Sequence, residues 1–462
     1  MFQLTDITNL LKLLCSNCIN KFLSILTFYF LTFIKVNPMK KVRFIFILLA
    51  FLVAGNSFAS QVLVPMDKDQ KNHLKAYGIA YWILKHDVEV YWLLNYRGGS
   101  FMFNNNKAFT DELTIRGVSY EIIADAKSTA ILNEIANPEV NMDAVKLEKP
   151  PKVAVYSPKT KQPWDDAVTM VLTYAEIPYE VVYDEEIIND KLLEYDWLHL
   201  HHEDFTGQYG RFYAGYKNTA WYIQDVKNNE AMAAKLGFKK VSEMKLGVAK
   251  KIRDFTMGGG FLFAMCSATD SYDISLAMEG VDVCESMYDH DAADQNMNKK
   301  IDYTKTFAFD NFTLSTNPYE YEFSTIDTYN SRRQKQGVTK ENDFFTLFEF
   351  SAKWDPIPSM LCQSHEQMIK GFWGQTVAFE KTYIKKNVLI MGENKAANEA
   401  RYIHGEYGKG TWTFYGGHDP EDYEHRVEDP PTDLSLHPNS AGYRLILNNI
   451  LFPAAKKKKQ KT

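Results

Sequence analysis

The sequence predicts an α/β protein whose core is a parallel sheet covered by helices on both faces. Three observations carry that expectation. From Lys152 onward, short apolar runs alternate strictly with segments of helical period, as strands joined by crossover helices do. Those runs are almost continuously apolar, as strands buried on both faces are. The chain has 462 residues, 45% hydrophobic and 14% aromatic, which is core material for two or three domains.

Two segments precede the globular part. Residues 1–38 are apolar ("FLSILTFYFLTFIKV") and read as a mis-assigned leader upstream of Met39, with Phe22 to Val36 as a competing membrane segment. Residues 39–59 have a basic start, a short apolar core and small residues at Ser57 and Ala59. That is the plan of a secretory signal peptide cut after Ala59, and it predicts an exported, periplasmic protein. The apolar core is short for a bilayer span, so no stable membrane span is expected in the mature chain.

Residues 60–136 read as an N-terminal α/β unit of Rossmann-like plan. "VLVPM" is a strand, Lys71 to Lys85 a helix with Leu74, Tyr77, Ile79, Trp82 and Ile83 at helical spacing, and "VEVYWLL" a strand. The Pro-rich, polar residues 137–151 read as a linker. The main α/β domain spans 152–288 and 380–453. In it "KVAVYS", "YEVVY", "YDWLHLHH", "GFLFAMC" and "VDVCES" are strands. Trp164 to Tyr174, Val241 to Met257 and "SATDSYDISLAM" are helices, and "NVLIMGE", "GTWTFYGGH" and the helix "YRLILNNILF" close the domain. Residues 289–379 are aromatic and rich in Asn, Thr and Asp. Alternating runs such as "TFAFDNFTL" and "YEYEFSTID" predict a β-rich insertion there. Residues 454–462 form a basic, solvated tail.

Sites in open parallel sheets lie at the carboxyl ends of the strands. Cys266 ends "GFLFAMC" and precedes a helix, the strand–turn–helix context of a nucleophile elbow. The N–H groups of Ser267 and Ala268 would then hold an oxyanion and lower the thiol pKa. His418 follows a strand and two glycines, so it belongs to the same rim as the general base, with Asp419 or Glu421 to orient its ring. His199 and His201 share one face of their strand. His201, His202, Glu203 and Asp204 at its end are expected to contact a polar substrate. Their spacing fits no standard zinc pattern, so no metal ligands are assigned. Arg97, in the glycine turn "NYRGGSF", is a further candidate for an anionic group. "DHDAADQNMNKK" lacks the glycine and terminal Glu of a calcium loop and reads as a solvated turn. His404 and Glu406 have no assigned partner.

The net charge of −6 leaves no electrostatic footprint for nucleic acid. No Walker loop, dinucleotide fingerprint or G-x-S-x-G occurs, and no cofactor is expected. Cys15 and Cys18 fall in the leader. Cys266, Cys284 and Cys362 remain, an odd number for an exported chain, so at least one thiol is free or pairs between chains.

With Cys266 on an elbow and His418 after a late strand, residues 152–453 resemble the class I glutamine amidotransferase-like superfamily. The closing "YGKGTWTFYGGHDPEDY…YRLILNNILF" resembles its ThuA-like branch. The resemblance implies a flavodoxin-like sheet with Cys266 as nucleophile, His418 as base and a nearby carboxylate. The whole mature chain also resembles exported bacterial proteins often labelled asparagine synthetase B. The N-terminal cysteine and Ser-Gly-Gly loop which that chemistry needs are not in the sequence.

Three functions follow. The first is an exported cysteine hydrolase of the amidase or acyl-transfer type, acting on a polar amide of cell-wall or sugar origin. The second is a non-catalytic module that binds carbohydrate on the same rim. The third is a metal-dependent site centred on the histidines.

Overall fold

The computed structural model describes residues 60–160, 162–328, 337–424 and 426–455. The expected leader and signal peptide, residues 1–59, and most of the basic tail lie outside the described residues. Residues from Ser60 onward form one unit of mixed α/β structure with two sheets.

The larger sheet carries the site. β6 (Val153–Tyr156), β7 (Glu180–Val182), β8 (Trp197–Leu200), β9 (Phe261–Met265) and β15 (Gly410–Tyr415) run parallel in the order β15-β9-β8-β6-β7. Side chains alternate across a strand. Val153 and Val155 therefore join the core that contains α4 (Ala167–Tyr174) and α9 (Ala441–Leu451), whereas Ala154 and Tyr156 join the core that contains α5 (Asp184–Ile188), α6 (Ala220–Lys235), α7 (Val241–Gly258) and α8 (Ala268–Ala277). Burial on both faces is the physical reason these strands are apolar throughout.

Beyond β15 the sheet turns antiparallel through β14 (Glu399–Tyr407), β13 (Leu389–Asn394), β10 (Phe344–Leu347) and β11 (Met368–Lys370), with the short β12 (Phe379–Glu380) beside β14. No strand was assigned to the residues of β14 from the sequence. Its buried Arg401 and Glu399 disguise a central strand. "VDVCES", expected as a strand, forms none, and Cys284 is instead held in a loop where its thiol donates to the Thr206 carbonyl at 3.3 Å. The insertion is largely irregular rather than β-rich. Buried carboxylates replace the ladder: Asp273 accepts from the N–H groups of Phe307, Ala308 and Phe309 at 2.7, 2.7 and 3.1 Å, and Asp327 accepts from Val377 N–H at 2.9 Å.

The N-terminal unit departs from expectation in its pairing. β1 (Ser60–Val64), β2 (Val90–Leu94), β3 (Ser100–Asn104), β4 (Glu121–Ala124) and β5 (Asp143–Leu147) form an antiparallel sheet in the order β4-β1-β3-β2-β5. It is not Rossmann-like, and the expected linker contributes β5. Helix α1 (His73–Lys85) joins this sheet to the rest: Tyr77 donates to Asn448 of α9, and Arg444 Nε donates to Tyr77 Oη at 3.0 Å. Helices α2 (Lys107–Ile115) and α3 (Asp125–Ala136) complete the unit.

Where α1 crosses the end of α4, a Cβ on Gly78 would lie 1.8 Å from the Ala175 carbonyl oxygen. Gly78→Ala is therefore expected to destabilise the chain by about 1–3 kcal/mol. Gly215→Ala, with nothing within 4 Å of its Cβ, should stay within about 0.5 kcal/mol of the parent. Thermal melts by circular dichroism check both.

Candidate active site

Cys266 directly follows β9 and has φ +52°, the left-handed region that a non-glycine residue rarely adopts. Such strain costs about 1–3 kcal/mol and persists only where the surroundings hold it. Here they do. Cys266 N–H donates to Gly417 O at 3.2 Å, and its carbonyl accepts from Thr269 N–H at 3.1 Å and Thr269 Oγ1 at 2.7 Å. The turn lifts the thiol to the carboxyl end of the sheet, yet the residue is only 3% exposed.

β15 delivers His418 to the same rim through Gly416 and Gly417. Its N–H donates to the Trp373 carbonyl at 2.8 Å, and its ring interacts electrostatically with the Cys266 sulfur. The carboxylate at this ring is Asp165, whose Oδ1 lies 3.6 Å from Nε2. On the other side, His418 Nδ1 lies 3.0 Å from His201 Nε2. His201 Nδ1 in turn faces Asp166 Oδ1 at 3.5 Å and His199 Nε2 at 3.4 Å, and His199 Nδ1 donates to the Phe263 carbonyl at 3.2 Å. A continuous polar chain thus runs from Asp166 through His201 and His418 to the thiol.

Burial pushes the Cys266 thiol up, but the His418 ring and the N–H groups of Gln375 and Thr376 outweigh it and hold the pKa below the ordinary value. Burial pulls His418 down, and Asp165 with the sulfur raises it to about 10. Each group thus favours the charged form of the other, thiolate beside imidazolium. Burial keeps His201 neutral, with its pKa lowered to about 4, and pushes His202 lower than its usual range as well. Asp166 is buried, which raises a carboxyl, yet His199 and His201 hold it well below its usual range.

The structure brings together Cys266, His418, His199, His201 and His202. It does not bring the other expected groups to the thiol in the roles assigned. Asp419 Oδ1 accepts from Glu421 N–H at 2.9 Å and Oδ2 from Thr432 Oγ1 at 2.6 Å, while Glu421 pairs with His437 at 3.2 Å. Ala268 N–H is already donated to the His201 carbonyl at 2.9 Å, so it is not a vacant oxyanion donor. Ser267 lies at the start of α8 with its Oγ buried and unpartnered. Glu203 and Asp204 lie in the loop after β8, where Asp204 accepts from Thr206 N–H at 2.6 Å and Gly210 N–H at 3.1 Å. Burial raises Glu203 to about 8. Arg97 belongs to the other sheet, where Asp67, Asp69 and Glu121 bind its guanidinium at 2.6, 2.7 and 2.5 Å. His404 bonds Thr413 Oγ1 at 2.9 Å inside the sheet. Asp294 of the acidic turn pairs with Lys300 at 3.0 Å.

Asp165, Asp166, Gln375 and Thr376 were not foreseen. The first two were absorbed into an expected helix from Trp164, whereas α4 starts at Ala167 with Asp166 as its N-cap, accepting from Thr169 N–H at 2.8 Å. An Asp-Asp pair before an apolar helix signals the helix start at Ala167, not a site. Gln375 N–H donates to the sulfur at 3.2 Å. It belongs to the insertion, whose sequence carries no sign that it closes over a strand end. His201, His202 and His418 each place a ring nitrogen within 4.8 Å of the others. The three thiols of the described residues are free. Among the described residues no helix is long and apolar enough to cross a membrane.

No family model matches the chain, and no curated protein matches it. Among solved structures it is similar to the cytoplasmic protein STM3548 from Salmonella typhimurium, at 9% identity and TM-score 0.32, over 66% of this chain and 100% of that one. It is also similar to the cytoplasmic protein STM1381 from Salmonella typhimurium LT2, at 10% and 0.33 over the same shares. Gan42B, a GH42 β-galactosidase, is similar at 13% and 0.24, over 58% of this chain and 28% of that one. Likenesses this distant carry no weight for fold or activity.

Proposed function

We propose that the chain is an exported, cysteine-dependent hydrolase of the amidase or acyl-transfer type, on a class I glutamine amidotransferase-like core of flavodoxin-like plan. The observation that supports it most is Cys266, strained at φ +52° on the carboxyl rim, with the His418 ring acting electrostatically on its sulfur and Asp165 at Nε2 of that ring. In this mechanism the Cys266 thiolate attacks an amide carbonyl carbon. The sulfur loses its charge as it attacks, which frees Gln375 N–H, its donor in the resting state, for the developing oxyanion. His418 gives its proton to the departing amine, then takes one from the water that cleaves the thioester.

The test is the pH dependence of Cys266 alkylation by iodoacetamide, with Cys284 and Cys362 replaced by Ser. The rate is expected to titrate below the ordinary thiol value near ~8.5 and to lose that displacement in His418→Ala. The thiolate's ultraviolet absorbance gives the same titration without depending on reagent access. An ordinary titration by both measurements would remove the hydrolase proposal.

The convergence of His201, His202 and His418 favours a second reading, a binding module that holds a divalent transition ion among three imidazoles. One equivalent of zinc in the purified protein, lost in His202→Ala, would favour it over the hydrolase.

A further inference from the structure

Beside the Cys–His centre lies a small pocket of about 40 Å³ that the proposed chemistry leaves unused. Trp164, Tyr183, Tyr209 and Phe212 give it aromatic walls, and Glu203, Asp204 and Asp225 give it carboxylates. The lysine that lines it, Lys245, is already committed. Its Nζ donates to both Asp184 oxygens at 3.0 Å, to Tyr156 Oη at 3.0 Å and to Tyr183 Oη at 3.1 Å. Asp204 is taken up by its own loop, whereas Glu203 accepts one bond, from Tyr183 Oη at 3.3 Å, and Asp225 one, from Asn229 Nδ2 at 3.1 Å.

An independent observation points to a ligand. Asn229 also lines the pocket, is only 6% exposed, and its Oδ1 has no hydrogen-bond partner. A buried acceptor left without a donor costs about 1–3 kcal/mol. An unpartnered acceptor and acids whose neighbouring lysine is committed to Asp184 and two tyrosines, walled by aromatic rings, fit a small group with several N–H donors and a positive charge.

The pocket communicates with the thiol by two routes. His202 lines it, and its ring lies 5.8 Å from that of His418. Gly210, another wall residue, accepts from Gln375 Nε2 at 2.7 Å, and Gln375 N–H bonds the sulfur.

We infer that this pocket is a subsite for an ammonium group, so that the amides hydrolysed carry a primary amine. The reaction in that statement rests on the Cys266 proposal, and the binding does not.

Calorimetric titration of the Cys266→Ala protein in mildly alkaline buffer tests it, with n-propylammonium, n-propanol and propionate as cationic, neutral and anionic probes. Propylammonium is expected to saturate and to bind at least about tenfold more tightly than propanol. Glu203→Gln and Asp225→Asn should each weaken it, and Asn229→Asp should strengthen it, with melting curves checking the fold. Equal binding of propanol, preferred binding of propionate, or no saturable binding of propylammonium to the folded protein would overturn the inference. Because the nucleophile is absent, failure here is distinguishable from failure of the alkylation test.

Discussion

Arg401→Met is expected to destabilise the chain by about 3–5 kcal/mol, the cost of leaving buried carboxylates without their cation. Arg401 stands inside β14 and is completely buried. Its Nη2 donates to both oxygens of Asp343 at 2.9 and 2.8 Å, and Glu399, also completely buried, lies 3.3 Å from its Nε. Methionine fills much of the volume but takes the guanidinium away from both acids.

The consequence extends to the site. Arg401 Nη1 donates to the carbonyls of Phe372 at 2.9 Å and Val377 at 2.8 Å. Those residues bracket the segment that presents Gln375 and Thr376 to the sulfur. Arg401→Lys keeps the charge but loses the planar fork, so it should fall between parent and Met. Thermal and urea unfolding measure the loss. A Met variant within about 0.5 kcal/mol of the parent would contradict this account.

The second large effect is expected from Asp165→Asn. Removing that carboxylate makes the charged form of His418 less favourable, so its pKa falls from the raised value of about 10. A less charged imidazole supports the thiolate less, and the Cys266 pKa rises. At neutral pH the alkylation rate should therefore drop, by up to about tenfold for each pKa unit displaced. The thiolate absorbance should titrate later by the same margin. Asp419→Asn and Glu421→Gln should leave both profiles in place, because their bonds go to Thr432, the local backbone and His437. The reverse pattern would show that Asp165 is not the positioning residue.

The main strands of the parallel sheet, Cys266 on the elbow and His418 on the same rim were legible in the sequence, because each follows from chemistry within a few residues. An apolar run predicts a doubly buried strand, and a polar or glycine-rich break marks its end. The shared face of His199 and His201 follows from the two-residue period of a strand. Asp165 was hidden because an acid before a helix reads as a cap or a first turn whatever it faces. β14 was hidden because its charges are neutralised by partners distant in sequence, Asp343 being 58 residues from Arg401. The N-terminal sheet was misjudged because strand–helix–strand patterning is local, whereas direction depends on which strand becomes the neighbour. β1 pairs with β3 and β4, not with β2.

By itself the sequence determined an α/β chain with a cysteine raised at one strand end and a histidine at another. Periodicity and turn chemistry act over single elements, so they can be read there. Only the tertiary structure decided which acid stands behind His418, which amides surround the sulfur, and that the rim opens onto an aromatic, acidic pocket. The partners involved lie 109 residues apart for Gln375 and Cys266 and 217 for His201 and His418. Sheet order and loop closure bring them together, and no local pattern encodes either.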